Sequence, residues 1–585
     1  MPADLGNGYD AAIMPRILRL LAALLLIFLI LAVWFWWNRP TRVDMAGYVP
    51  ADSLVYFESN SLIDVATAIT NTDAWQKLAA RVPGGLPQQH NDWRSWFLKV
   101  TGLGSTPSVI ATRAQVAFVL LDLTATENGD ALEFKSTAAL VIETHTSQSR
   151  VKPTVEKVLN DFAARAYRQP RFERINLEGS EFLRWSAPDA HRQIVATVEG
   201  SVVIIGNDEN AVSACLATRH GQRPSLLHRP ELEEMRSQLH AANALAFGHV
   251  SGQSAARLLS VLAPIVFGHL SQEEQFQKLI SQGGSRLIGN VGWSARSAKG
   301  GIEDSYHIAV KPELMARLRP AFNVTQTNFE GGWQFLPADV YSVSSYNIRE
   351  PATAWDVMNA TVSSQLDVVS AVMFVTTFKA LLAPYGIDEP DQFLKAIKPD
   401  TLTVRLNQQS DRALLITGIA SPDTLRQFVS RRFGANPKTE QIAENELILS
   451  PGEEFAASFA GDYFLLGPPD DVRKSLNARA NKSNLPGSSE RLDSLSHYFE
   501  RPSSASVVTF SQDGERVRSM LYSLAAIRGT DATQSRDAID AAVDGLPDAV
   551  TETNLGEAGI ERRTKSAFGQ FGLMASLLAP RRSQP

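Results

Sequence analysis

The longest apolar run of the chain lies near its start, from Leu20 to Trp37, and contains no polar residue. As a helix it would be about 27 Å long, close to the hydrocarbon thickness of a bilayer. Arginines precede the run and tryptophans close it, as is typical at the two interfaces of a membrane. The pattern predicts a transmembrane signal-anchor helix over residues 16–38, after a short tail of residues 1–15. The expected interface residues are Arg16, Arg19, Trp34, Trp36 and Trp37.

Two alternatives to a retained anchor are a cleaved signal peptide and a buried core helix. The apolar run is longer than the roughly 7 to 15 residues of a signal peptide, and no small-x-small cleavage site follows it. A core helix would have to bury Leu-rich and Trp-rich faces on all sides, which few soluble helices do. Arginines flank the run equally, so charge does not decide its orientation. Because the preceding tail is short, we expect a single-pass protein of the inner membrane with its body in the periplasm.

Beyond this run, the pattern of apolar and polar residues occurs twice. Five pairs of segments match in the same order, with a separation that shrinks steadily along the chain. The pairs are PADSLVYF (50–57) with PADVYSVS (337–344), LKVTGL (98–103) with LAPYGI (382–387), AALVIE (138–143) with ALLITG (413–418), GSVVIIG (200–206) with GDYFLLG (461–467), and LMA (314–316) with LMA (573–575). The ordered series predicts a duplicated domain. We place copy 1 at 48–320, a junction at 321–334, copy 2 at 335–580 and a C-terminal tail at 581–585.

Each copy reads as strands in hairpins with helices between them. In copy 1, the turn signal Asn128-Gly129 separates two strand-like runs, which predicts an antiparallel hairpin. Pro153 is expected at the first position of a helix, Asp208 as the cap of another and Pro230 at the start of a third. The fold class predicted is α+β: a mainly antiparallel sheet with packed helices in each copy, after the single transmembrane helix.

These features resemble the bacterial membrane-anchored proteins grouped as a domain-of-unknown-function family. The matching elements are Pro50 to Phe57, Gly102-Leu103 and Ile204 to Val212, with second copies at Pro337, Gly386-Ile387-Asp388 and Leu465 to Val472. The resemblance covers most of residues 48–580. It implies a topology and a place in the cell envelope, but no activity, cofactor or catalytic residue.

Composition excludes several classes of protein. The net charge of −6, with no cluster of Lys and Arg in the folded part, argues against nucleic-acid binding. The single cysteine, Cys215, excludes an intrachain disulfide and a zinc site built from several thiolates. Its apolar neighbours predict a buried, inert thiol.

The sequence offers little catalytic chemistry. Phosphate-loop, dinucleotide-binding and H-E-x-x-H motifs are absent, and Ser251 in GHVSG stands one place too late for a nucleophile elbow. Ser149 and Lys152 have S-x-x-K spacing, but Pro153 is expected to place Lys152 before the helix. Four histidines between His220 and His249 are too widely spaced for one metal-binding element. We therefore predict no catalytic, cofactor or metal site. The repeated Asp52 and Asp339 are expected to bond the backbone at a turn.

One amphipathic segment is a candidate for contacts with a partner. Trp93, Trp96, Phe97 and Val100 recur at helical spacing and form an apolar face with two indoles. This face could lie on the membrane or bind a partner protein. Packing in the core is the default explanation, since the matching segment of the second copy is also apolar.

Three hypotheses about function follow. The first is a non-enzymatic, membrane-tethered binding or scaffolding module of the cell envelope. The second is a carrier or sensor of an apolar, lipid-like ligand held in a cleft between the two copies, because ligand sites favour such interfaces. The third is an enzyme whose site is assembled from scattered residues.

Overall fold

The computed structural model describes most of the chain. The described residues are 42–79, 110, 113–128, 131–167, 169–177, 179–189, 192–267, 287–322, 331–364, 371, 375, 379, 382, 385–407, 412–434, 436–481, 505–527, 536–543 and 546–577. The predicted anchor with its Arg16, Arg19, Trp34, Trp36 and Trp37, and the face of Trp93, Trp96 and Phe97, lie outside them. Within the described ranges, none of the helices has the length and apolar character needed to cross a membrane. All elements below belong to one compact unit that begins at Met45.

The strands of the first half run from Val55 to Val310. They are Val55–Ser59 (β1), Gln115–Asn128 (β2), Ala131–Glu143 (β3), Arg171–Leu177 (β4), Ser180–Ser186 (β5), Gln193–Glu199 (β6), Val202–Gly206 (β7), Ala246–Val250 (β8), Ile288–Ala298 (β9) and Gly301–Val310 (β10). The strands of the second half are Ser342–Tyr346 (β11), Ile397–Arg405 (β12), Leu414–Ile419 (β13), Lys438–Ile442 (β14), Asn445–Leu449 (β15), Ala456–Ala460 (β16), Tyr463–Gly467 (β17), Val507–Ser511 (β18), Ala549–Leu555 (β19) and Gly559–Ser566 (β20).

Helices alternate with these strands and pack on the sheet. They are Leu62–Thr70 (α1), Asp73–Ala79 (α2), Gln148–Tyr167 (α3), Glu209–Arg219 (α4), Pro230–Gln238 (α5), Gly252–Phe267 (α6), Pro312–Ala321 (α7), Pro351–Ser363 (α8), Pro390–Lys395 (α9), Pro422–Phe433 (α10), Pro469–Ala480 (α11), Gly514–Ile527 (α12), Arg536–Val543 (α13) and Gly569–Leu577 (α14). The predicted α+β class with a mainly antiparallel sheet is confirmed.

Every pair of neighbouring strands in the described part of the chain is antiparallel. The spatial order is β4-β5-β6-β7-β3-β2-β1-β8-β9-β10 in the first half and β20-β19-β18-β11-β12-β13-β17-β16-β15-β14 in the second. The second half repeats the order of the first, read from the other end of the sheet. Strand β2 pairs with β3 across the predicted turn, so this hairpin is confirmed.

The two halves meet where β10 pairs with β20. Ile302 lies opposite Ser566, and Ile308 lies opposite Ile560. Because Ile302 and Ile560 occupy corresponding positions in their strands, as do Ile308 and Ser566, the register is two-fold symmetric. The backbone hydrogen bonds of the two halves therefore join into one continuous sheet.

One face of the sheet is covered in the same way in both halves. In the first half, the buried Val141 and Ile204 pack against α4; in the second, the buried Ile416 and Leu465 lie with α11. Alternation along each strand points these apolar side chains to a single face. This shared core stabilises the sheet in both halves. The two halves differ on the opposite face of the sheet.

An arginine stacks on an aromatic ring at the same place in each half. Arg219 lies 5.9 Å from the ring centre of Tyr48, and Arg479 lies 5.0 Å from that of Phe335. Each arginine lies in the last turn of its helix, α4 or α11, and also approaches a left-handed turn glycine, Gly200 or Gly461. A residue with a Cβ would be strained at those two turns.

Two local predictions about helices are confirmed and one is wrong. Asp208 accepts a hydrogen bond from the Asn210 amide as the cap of α4, and Pro230 opens α5. Pro153, however, lies inside α3, which begins five residues earlier at Gln148. The first turns of α3 form because Val151 is fully buried against Val198 and Val203, and this burial outweighs the missing amide hydrogen of the proline.

Candidate functional site

An apolar cavity of about 240 Å³ lies in the second half, between the sheet and two helices. Strands β11 and β12 form its floor, and α8 and α9 form its walls. Both helices begin at a proline, whose fixed φ suits the first helical position. The apolar side chains that line the walls include Trp355, Met358, Ile387, Phe393, Leu394 and Ile397.

The inner wall of the cavity is held by aromatic packing. The ring of Phe393 lies 5.2 Å from that of Phe428 and 6.2 Å from that of Phe464, measured between ring centres. All three rings are buried in one cluster with residues of α10 and β17. Packing of Phe393 on both other rings therefore supports the wall beside α9 from behind.

The floor of the cavity carries hydroxyl groups. The Thr401 hydroxyl lies 2.8 Å from that of Thr417, and the Tyr346 hydroxyl lies 3.4 Å from that of Thr403. Tyr346, Thr401 and Thr403 all line the cavity. Because buried hydroxyls are costly when unpaired, their mutual bonds allow them to stay in an apolar site.

The corresponding positions of the first half are mostly apolar. In β11 and β12, Tyr346 pairs with Thr401 and Ser344 pairs with Thr403. The equivalent pairs of β1 and β2 are Ser59 with Val116 and Phe57 with Phe118. The first half has a hydroxyl, that of Ser59, at the position of Tyr346, but apolar Val116 and Phe118 at the positions of the two threonines. This difference in the sequence could have indicated the site, but the sequence-based predictions did not use it.

The cavity is electrically neutral. Among the described residues that line it, none carries a charged side chain. Burial raises the pKa of Tyr346, and its neighbour Tyr385 raises the pKa further, so the phenol keeps its proton near pH 7. The site can therefore bind an uncharged, largely apolar molecule and offer it a few hydroxyl groups.

A second cleft, of about 470 Å³, lies at the junction of the two halves and has a different character. Its walls come from β10, β19, β20 and the loops at their ends. The charged residues that line it are Asp73, Lys299, Glu303, Asp548, Glu552, Arg563 and Lys565. The cleft between the halves is therefore polar, and the apolar cavity lies inside the second half instead of in the expected place between the copies.

The candidate nucleophiles have structural partners. The Ser251 hydroxyl accepts a hydrogen bond from the Ser254 amide at the start of α6, and so acts as a helix cap. Ser149 and Lys152 share the first turns of α3, contrary to the expectation that Pro153 would exclude Lys152 from the helix. The Lys152 ammonium forms an ion pair with Glu181, at 2.5 Å. Its charge is thus satisfied away from Ser149.

The predicted inert cysteine is confirmed, and the histidines do not gather. Cys215 is fully buried, and burial raises the pKa of its thiol to about 12. His220 contacts Glu199 at 2.9 Å, whereas His249 is buried in β8. Within the described ranges, no three metal-binding side chains come together.

Asp52 does not bond the backbone as expected. Both of its carboxylate oxygens accept hydrogen bonds from Arg223, at 2.9 and 2.7 Å, on the protein surface. The turn itself is closed by Ser53, whose amide and hydroxyl both donate to the Pro50 carbonyl. In the second half, Asp339 is exposed.

Comparison with protein-family models, curated proteins and solved structures finds no match to this chain.

Proposed function

We propose that this protein is a membrane-anchored, non-enzymatic binding module of the bacterial cell envelope, and that its second half holds an apolar small molecule such as an acyl chain. The chain then consists of an anchor over residues 16–38 and two duplicated α+β copies, 48–320 and 335–580, on the periplasmic side. The apolar run of the sequence supports the anchor. The repeated strand order and the symmetric register of β10 and β20 support the duplication.

The apolar cavity is the observation that carries the proposal. An engineered apolar cavity of about 150 Å³ stays dry and binds benzene. The cavity of about 240 Å³ beneath α8 is larger, so it has room for a short acyl chain or a fused ring. Its aromatic wall is packed from behind, and none of the described residues that line it is charged, which favours transfer of an apolar molecule from water or membrane.

Extraction of small molecules from the purified full-length protein tests this proposal. We expect mass spectrometry to find an apolar molecule that co-purifies with the wild type. The variant Met358→Trp, which fills the cavity from α8, should lose it. Leu227→Trp is the matched control, because Leu227 is 41% exposed and lies in the first half, away from the cavity. Equal amounts in all three proteins would mean that the molecule binds to the anchor or the detergent, and the proposal would fail.

The proposed orientation has its own test. Alkaline phosphatase fused after residue 585 is active only outside the cytosol, and we expect it to be active. A fusion with β-galactosidase at the same place should be inactive. The reverse result would place the body in the cytosol and would overturn the periplasmic assignment without affecting the cavity.

A further inference from the structure

Three hydroxyl groups converge on the floor of the apolar cavity. The Tyr346 hydroxyl lies 3.4 Å from that of Thr403, and the neighbouring Tyr385 raises the pKa of Tyr346 after burial does. All three side chains line the cavity. The distance of 3.4 Å is long for this bond, since most hydroxyl-to-hydroxyl bonds measure about 2.7 to 2.8 Å.

These three groups have more hydrogen-bonding capacity than they use among themselves. Each hydroxyl has one hydrogen and two lone pairs. The bond between Tyr346 and Thr403 uses one hydrogen of these three groups. Within the part of the chain that the structure describes, none of the three donates to a backbone carbonyl, whereas the neighbouring Thr401 does donate to Lys398. Because all three hydroxyls line the cavity, a ligand oxygen placed there lies within their reach as an acceptor.

None of the described residues that line the cavity is charged, and this limits what the ligand can be. A carboxylate or an ammonium group buried beside Trp355, Phe393 and Leu394 would lose its hydration without gaining an ion pair. A neutral oxygen loses less on transfer and regains a hydrogen bond on the floor. A pure hydrocarbon would offer these hydroxyls no acceptor.

We infer that the cavity selects an amphiphile with a neutral, oxygen-bearing head, such as an alcohol or an ester, and binds that head against Tyr346, Thr403 and Tyr385. This inference rests on the proposed function, since it assigns the ligand class of the same site. The apolar chain of the ligand then lies between Met358 and Leu394. A charged amphiphile of the same length is excluded.

Competition between matched eight-carbon ligands tests this assignment on the full-length protein. The probe is N-phenyl-1-naphthylamine, a neutral fluorescent compound, and its signal from Met358→Trp is subtracted as the background of detergent and anchor. We expect 1-octanol to displace the probe about threefold to tenfold better than n-octane, as one hydrogen bond predicts. Octanoate should bind more than tenfold more weakly than 1-octanol at pH 8.

Two conservative variants report where the head binds. Tyr346→Phe and Thr403→Val remove one hydroxyl each and keep the shape of the side chain. Either should reduce the preference for 1-octanol over n-octane to less than twofold, while the affinity for n-octane stays the same. Ser260→Ala, which removes an exposed hydroxyl from α6, is the control and should change neither affinity.

The failures of the two proposals are distinguishable. If 1-octanol and n-octane bind equally to the wild type, or if octanoate binds best, the head-group assignment is wrong and the apolar site stands. If no ligand displaces probe beyond the Met358→Trp background, the cavity is not a binding site, and both proposals are wrong.

Discussion

The two halves share one covered face of the sheet and differ on the other. On the shared face, each half buries aliphatic side chains beneath a helix and stacks one arginine on one aromatic ring. On the other face, Phe57 in the first half packs edge-to-face on Trp293, with ring centres 5.8 Å apart. Ser344 takes the place of Phe57 in the second half, where the cavity lies. The shared face therefore maintains the fold, while the other face is free to acquire a binding site.

Mutations at equivalent core positions should affect the two halves equally. Ile204→Ala and Leu465→Ala each remove a buried side chain that is at most 1% exposed. We expect each to lower the free energy of unfolding by about 2 to 5 kcal/mol, through lost apolar burial and a new cavity. Denaturant unfolding measures both, with the exposed Leu227→Ala as the control that should cost little. A large loss in one half and almost none in the other would show that the cores are not equivalent.

Acid should destabilise the first half selectively. Burial lowers the pKa of His249 to about 4, and the register places the apolar Phe510 at the corresponding position of the second half. Because the folded pKa lies below the unfolded one, the neutral imidazole stabilises the fold above about pH 6.5, and this contribution is lost as the pH falls toward 4. The expected loss is about 3 kcal/mol.

The variant His249→Phe, which copies the second half, should remove this acid sensitivity. His228→Asn, at an exposed position, should keep it. Unfolding free energies measured between pH 7 and 4 compare the three proteins. A wild type and a His249→Phe variant with parallel pH profiles would contradict the assignment.

The junction of the halves should respond to pH in the opposite direction. Asp304 of β10 accepts hydrogen bonds from the Trp293 indole and from the Gln570 amide at the start of α14. Burial raises the pKa of Asp304 to about 6. For an acid with a raised folded pKa, the contribution to stability is present below about pH 3.8 and is lost as the pH rises through 6.

Relative to Asp304→Asn, the wild type should therefore lose about 3 kcal/mol of stability between pH 4 and 7. The exposed carboxylate control is Asp64→Asn, measured over the same pH range. Hydrogen exchange of α14, followed over the same range, should locate the change. A constant difference between wild type and Asp304→Asn would refute the prediction.

The smallest effect is expected from the arginine stacks. Arg479→Lys keeps the charge but loses the planar guanidinium over Phe335, and should cost about 1 kcal/mol. Arg219 lies farther from its ring, so the loss of its stack on Tyr48 in Arg219→Lys should cost no more than about 1 kcal/mol. Thermal unfolding compares the two variants. A much larger cost for Arg219 would show that its contacts with Glu199 dominate.

The sequence was sufficient for elements whose causes are local. Asn128-Gly129 predicted the hairpin of β2 and β3, and Asp208 and Pro230 marked the starts of α4 and α5. The sequence was insufficient where tertiary packing determines the bounds of an element. Helix α3 extends past Pro153 because Val151 is buried by strands far along the chain.

The cavity and the pairing of β10 with β20 depend on tertiary contacts that no local sequence pattern predicts. The pairing of β10 with β20 joins strands more than two hundred residues apart, and an edge strand can pair with many others. The cavity is the space that α8 and α9 leave above Thr401 and Thr403. Its volume depends on how three separate segments pack, so alternation of apolar residues along any one of them does not predict it.

The central claim is that the apolar cavity of the second half, and not the polar cleft between β10, β19 and β20, holds the ligand. An experimental structure of the full-length protein soaked with 8-bromo-1-octanol tests it directly, because anomalous scattering locates the bromine. We predict a bromine peak in the cavity, beside Met358 and Leu394, with the hydroxyl near Tyr346. A cavity without bromine, or a peak in the polar cleft beside Glu303 and Arg563, would contradict the account.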